Sequence, residues 1–158
     1  MGYEEFYQLE PIAKPAAGNG MARKIPGETW EKLLFARTTF TSSVAVANRL
    51  VFMDFLDGDG NTIGRFQSNS AQAASLTTGY TFGVQLSSTA VGGTSEVDVA
   101  IPDAILYPGF SVSFGAFAIQ AADQFGTASL YVCRYPSGEW ADSPGATPYR
   151  PEVIVQLP

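Results

Sequence analysis

The chain has 158 residues, 46% of them hydrophobic and 13% aromatic, with 15% charged and a net charge of −6. That length suits one domain with one core, and so apolar a composition excludes general disorder. Nine Lys and Arg against fifteen Asp and Glu leave no basic face for phosphate backbones or anionic lipid, so neither nucleic acid nor membrane is an expected partner.

Histidine is absent, which removes the commonest general base, metal ligand and pH switch. Cys133 is the only cysteine, so no intrachain disulfide or thiolate zinc site can form. No apolar run approaches the ~20 residues that span a bilayer. The acidic, aromatic start lacks the basic-then-apolar pattern of a signal peptide, and the expectation is a soluble protein.

Residues 1–28 are punctuated by Pro11, Pro15 and Pro26, show no period of 2 or 3.6, and read as an extended N-terminal arm. From Thr29 the texture changes. Residues 30–41 are rich in β-branched and aromatic side chains and predict a long strand. A second apolar run, Arg49 to Leu56, precedes Asp57-Gly58-Asp59-Gly60-Asn61, a hairpin signal because Gly and Asn accept positive φ, and the return strand is 62–67.

Ser70 to Leu76 is the best helical candidate, about two turns long, and reads rather as a bridge between sheets. Then Tyr80, Phe82, Val84 and Leu86 alternate with Thr81, Gly83 and Gln85, a strand with one buried face. Alternation recurs over 96–101 and 110–116, and 127–135 makes a seventh strand. Seven short strands with uneven, turn-rich links predict an all-β fold: an antiparallel β-sandwich, jelly-roll-like, spanning residues 29–135. Residues 136–158 hold five of the ten prolines and form a C-terminal arm that ends in the short β segment 152–157. Such a segment needs a sheet edge, its own or a neighbour's.

Chemistry-bearing patterns are sparse. The Asp57–Asn61 run has alternating oxygen ligands but lacks the sixth-position glycine and twelfth-position glutamate of a calcium loop, so it reads as a turn; whether it takes an ion is open. Asp54, Asp98, Asp103 and Asp123 could be paired for glycoside hydrolysis, yet no motif surrounds them. Asp54 shares a strand face with Phe52 and Leu56 and calls for an ion pair with Arg49 or Arg65. Cys133, mid-strand and without a histidine to activate it, reads as inert. No catalytic, cofactor-binding or metal residue is assigned. The interface candidates are the apolar side chains of the arms: Tyr3, Phe6, Tyr7, Trp140, Tyr149, Val153, Ile154 and Val155.

Two blocks carry a family resemblance. Asn48-Arg49-Leu50-Val51, Asp57-Gly58-Asp59-Gly60-Asn61, Gln72-Ala73-Ala74-Ser75-Leu76-Thr77 and Tyr80-Thr81-Phe82 form the first; Ile101-Pro102-Asp103, Leu106-Tyr107-Pro108-Gly109 and Ile119-Gln120-Ala121-Ala122-Asp123-Gln124 form the second. Over roughly residues 30–135 the chain resembles a family of small structural proteins of tailed-bacteriophage virions. It departs where the family has a leucine-proline-alanine-glycine turn, a glycine at position 122, and acidic residues after the last strand, here Cys133-Arg134-Tyr135. The resemblance implies a jelly-roll-like capsid decoration or cement protein without enzymatic activity. Its expected partners are the major capsid protein and copies of itself as a homotrimer, and its expected location is the capsid surface after assembly in the host cytoplasm. The alternative is a tail, head-fibre or host-adhesion module that binds glycan through loops 57–61 and 87–94.

Overall fold

A computed structural model describes residues 6–87 and 96–136. Eleven strands occur there: β1 Phe6–Ile12, β2 Met21–Lys24, β3 Thr29–Thr41, β4 Val51–Leu56, β5 Thr62–Gln67, β6 Thr77–Val84, β7 Glu96–Ile101, β8 Ile105–Leu106, β9 Ser111–Ala116, β10 Gln124–Phe125 and β11 Ala128–Pro136. They form two sheets, a β-sandwich. The larger runs β1-β11-β3-β6-β7 with β8 and β10 also on β3, and the smaller runs β2-β9-β4-β5.

All seven predicted strands are present, and β3 is the spine. Its thirteen residues pair with β11 and then β10 along one flank, and with β8 and then β6 along the other. Its period breaks once. Leu33 and Phe35 oppose the consecutive residues Val132 and Tyr131, so Leu34 is an extra residue, a bulge that moves the inward phase from Glu31 and Leu33 to Ala36, Thr38 and Phe40. One pairing runs parallel, β6 with β7. Alternation in these strands reports which side chains face inward; it carries no information about strand direction.

The inward residues of both sheets make one core. Phe82 meets Phe114 edge to face across it at 5.7 Å, and Phe40 lies 4.6 Å from Phe125. Each fully buried phenyl contributes about 1.5–3 kcal/mol. The hairpin at 57–61 forms as expected, with Gly60 at φ 87° and the Asp57 carboxylate accepting from the amides of Asp59 and Asn61.

The expected N-terminal arm is corrected over residues 6–24. Those residues are strands of the sandwich: β1 pairs with β11 from Phe6↔Arg134 to Ile12↔Ala128, and β2 with β9. Pro11 is tolerated because β1 lies at a sheet edge, where the N–H groups that face away from β11 have no ladder partner to lose. The glycines and prolines of this stretch turn the chain between sheets. At Gly20, for example, a Cβ would come against the Phe114 carbonyl. Residues 70–76 form no helix; Gln72 bridges to Arg49 instead. Strand β6 ends at Val84. Gln85 takes φ 64°, and Leu86 swings over Gly83 on the face opposite the one its alternation predicts. Residues 137–158 of the C-terminal arm lie outside the described residues.

Candidate interaction surfaces

Three loops, 42–50, 68–76 and 117–124, cap one end of the sandwich. Beneath them lies an ion pair with no solvent exposure on either side chain. Arg49 Nε and Nη2 donate to the two Asp123 carboxylate oxygens at 2.8 and 2.9 Å. Arg49 also donates to the Ala47 carbonyl and Ser43 Oγ, and Asp123 accepts from the amides of Ser43 and Gln120. Burial alone would raise the Asp123 carboxyl, but the guanidinium and the two amides outweigh it and hold the group well below its ordinary value.

Gln72 extends the same network. Its Nε2 donates to the Phe40 and Leu76 carbonyls, and its Oε1 accepts from the Tyr80 hydroxyl at 2.9 Å. Burial pushes the Tyr80 phenol up to about 12. Ser42 donates to the Ala73 carbonyl and accepts from the Leu76 amide. Among the described residues no buried side-chain polar atom lacks a partner. Arg49, Gln72, Tyr80 and Asp123 come from segments that carry the family resemblance, and the fold brings all four together. Their role here is to lock three loops in place.

The opposite end is charged. Glu31, almost fully buried, accepts from Arg23 on β2 and from Arg134 on β11, so it ties the two sheets together; both guanidiniums also approach Glu10. Burial would raise Glu31, and the two arginines more than offset it, leaving the carboxyl below its usual value.

The outer face of the larger sheet carries a row of apolar side chains. Leu9, Tyr131, Phe35 and Gly83 are successive cross-strand partners on four strands. Tyr131 stacks with Phe35 at 5.2 Å and with Tyr7 at 6.0 Å, while Tyr7 is 55% exposed, Leu9 58% and Phe35 40%. On the outer face of the smaller sheet, Arg65 pairs with Asp54 at 2.7 Å and lies over the rings of Phe52 and Phe117 at 4.1 and 5.0 Å.

No family model matches this chain, and no curated protein matches it. Solved structures give weak likenesses. The infectious bursal disease virus VP2 subviral particle is 12% identical with a TM-score of 0.29, over 89% of this chain and 35% of that one. The structure of the Gx strain of the same virus is 11% identical with a TM-score of 0.33, over 89% and 46%. The chain thus spans less than half the length of the structures it matches.

Of the interface candidates, Phe6 and Tyr7 fall in β1, 51% and 55% exposed, and Tyr7 joins the aromatic row. Tyr3, Trp140, Tyr149, Val153, Ile154 and Val155 lie outside the described residues. Asp54 takes Arg65, one of its two expected partners, while Arg49 goes to Asp123. Asp103 accepts from Lys32, and Asp98 lies on edge strand β7. The four aspartates do not converge on one site. Cys133 is buried. Among the described residues no group of three metal-ligating side chains occurs. Sequence reasoning missed two features: the Tyr131–Phe35 row, whose register depends on the bulge, and the loop carrying Val44 and Val46, 84% and 97% exposed.

Proposed function

We propose that this chain is a non-enzymatic structural protein of a virion, a capsid decoration protein that bridges and stabilises major capsid subunits. The observation that carries the reading is the row Tyr7–Tyr131–Phe35 with Leu9: half-exposed aromatic and aliphatic area, laid flat on a sheet whose strands are pinned by ion pairs. Aromatic side chains of this kind anchor protein interfaces because they bury large area at small entropic cost. The resemblance to small phage virion proteins supports the same reading. A protein that binds only the assembled shell stabilises it by mass action, and copies engaged through several contacts add avidity.

The test uses purified particles with and without the protein. Loss of the protein lowers the temperature and raises the salt sensitivity at which shells open, and adding it back restores both. A variant with Tyr7→Ser, Phe35→Ser and Tyr131→Ser, folded by circular dichroism, binds particles at least tenfold more weakly. Unchanged shell melting in the absence of the protein defeats the proposal. For the glycan alternative, the Asp57 carboxylate is already occupied by Asp59, Asn61 and its side-chain amide. Reproducible sugar binding on a glycan array would replace decoration with adhesion.

A further inference from the structure

Four strands end the two sheets, β1 and β7 in the larger and β2 and β5 in the smaller. Each has a strand neighbour on one side only among the described residues. Open edges template the addition of further strands, so proteins blunt them with proline, cations, bulges or shortness. Three of the four are blunted in this way. β1 carries Pro11, β2 is four residues long and carries Arg23 and Lys24, and β5 has a bulge at Ile63 beside Arg65. β7 has none of these. Its six residues run in unbroken register with β6, and its only charges are the acidic Glu96 and Asp98.

Alternation turns Val97, Val99 and Ile101 into the core and leaves Glu96 and Asp98 on the outer face. Arg37 donates to one Glu96 oxygen at 2.7 Å, whereas Asp98 has no ion-pair partner among the described residues. At the start of β7 lies a hollow of about 180 Å³, whose lining mixes apolar Leu76 and Val97 with polar Ser70, Thr78 and Glu96. A lysine needs that mixture, apolar wall for its stem and polar groups for its ammonium.

We propose that residues 96–99 of β7 form a docking edge for an extended basic segment of the shell subunit, which adds to the larger sheet as one more strand. Main-chain hydrogen bonds hold the segment, and alternate cationic side chains meet Asp98 and enter the hollow beside Glu96. Charge chooses the occupant. A second copy's β7 would bring Glu96 and Asp98 against their like. The chain's own last residues, 137–158, carry Glu139, Asp142 and Glu152 against Arg150 alone, so they are acidic too. A segment with lysine or arginine at every second position meets this edge in strand period and with the opposite charge. In assigning that segment to the shell, the inference rests on the decoration reading above. The edge is two strands from Phe35, so it adds a contact separate from the aromatic row.

The probe is a capped peptide of alternating lysine and threonine, titrated into the full chain by calorimetry, with amide exchange followed by mass spectrometry. Binding should slow exchange over residues 96–99 and weaken as salt is added. Asp98→Lys should weaken it at least tenfold with an unchanged melting temperature, and Asp98→Asn should fall between. The same peptide with every amide N-methylated keeps its charge but has no N–H to donate, and should bind at least tenfold more weakly. A methylated peptide that binds equally well, protection confined to residues outside β7, or an Asp98→Lys variant of wild-type affinity overturns the inference. Particles that bind Asp98→Lys as tightly as wild type overturn the shell as partner and leave decoration through the aromatic row standing. A chain that takes the peptide on β7 but binds no particles defeats decoration itself.

Discussion

The two ends of the sandwich solve one problem, a charge inside a β fold, in different ways. At the loop end Arg49 and Asp123 have no solvent at all and are saturated by backbone and hydroxyl partners. At the other end Glu31 is as deeply buried, but its partners Arg23 and Arg134 keep 13% and 21% exposure and share Glu10. The first arrangement fixes the conformation of irregular loops, for which no ladder of backbone bonds is available. The second fastens together strands that ladders already hold. Removing a partner should therefore hurt more at the loop end, where a stranded charge cannot reach water.

Asp123→Ala tests that first and should show the largest effect. It leaves a guanidinium buried and unpaired, at a cost of about 3–5 kcal/mol. In a domain of this size each kcal/mol lowers the melting temperature by roughly 2–4 °C, so scanning calorimetry should find a drop of about 10–15 °C. Glu31→Ala, measured alongside, should cost about half as much, because both arginines retain Glu10 and partial hydration. Equal losses at the two ends would refute the contrast.

Acid titration sharpens it. Both carboxyls lie below their ordinary values in the folded protein, Asp123 under 3.8 and Glu31 under 4.5. Unfolding in acid therefore takes up protons. The stability these groups contribute is complete above about pH 4.5 and is lost as pH falls through that value toward the lower folded-state values. Urea titrations between pH 7 and 3 should show this loss, with a shallower slope in Asp123→Asn than in Glu31→Gln. At the alkaline side the sign reverses. Tyr80, raised to about 12 from 10, contributes stability that is present below pH 10 and lost between pH 10 and 12, and Tyr80→Phe should flatten that limb. The smallest effect belongs to Asp54→Asn on the outer face, about 0.2–1 kcal/mol, since Arg65 is 38% exposed.

Much of this contrast was beyond the reach of a linear reading. Asp54 was recognisable as a paired charge because strand alternation put it among apolar neighbours, and only its choice of Arg65 over Arg49 awaited the register. Arg49 and Asp123 are 74 residues apart, and nothing local to either marks the other. The N-terminus reads as an arm because prolines punctuate it and no strand or helix period shows there; that β1 is an edge strand depends on which strand β11 accepts as a neighbour. The exposed row could not be traced because one extra residue at Leu34 shifts the phase of β3 midway.

Sequence by itself determined the all-β class, the seven sandwich strands and the Asp57–Asn61 turn, along with the lack of histidine and of a second cysteine. Those features follow from side-chain periodicity, from backbone preferences of glycine and asparagine, and from composition, which act over a few residues. Tertiary structure alone decided the parallel β6–β7 pair, the sheet order that absorbs the N-terminus, the Arg49–Asp123 lock and the exposure of Val44 and Val46 on the loop it holds. Each depends on groups far apart in the chain meeting where water is excluded, and the energy of that meeting is written in no single segment.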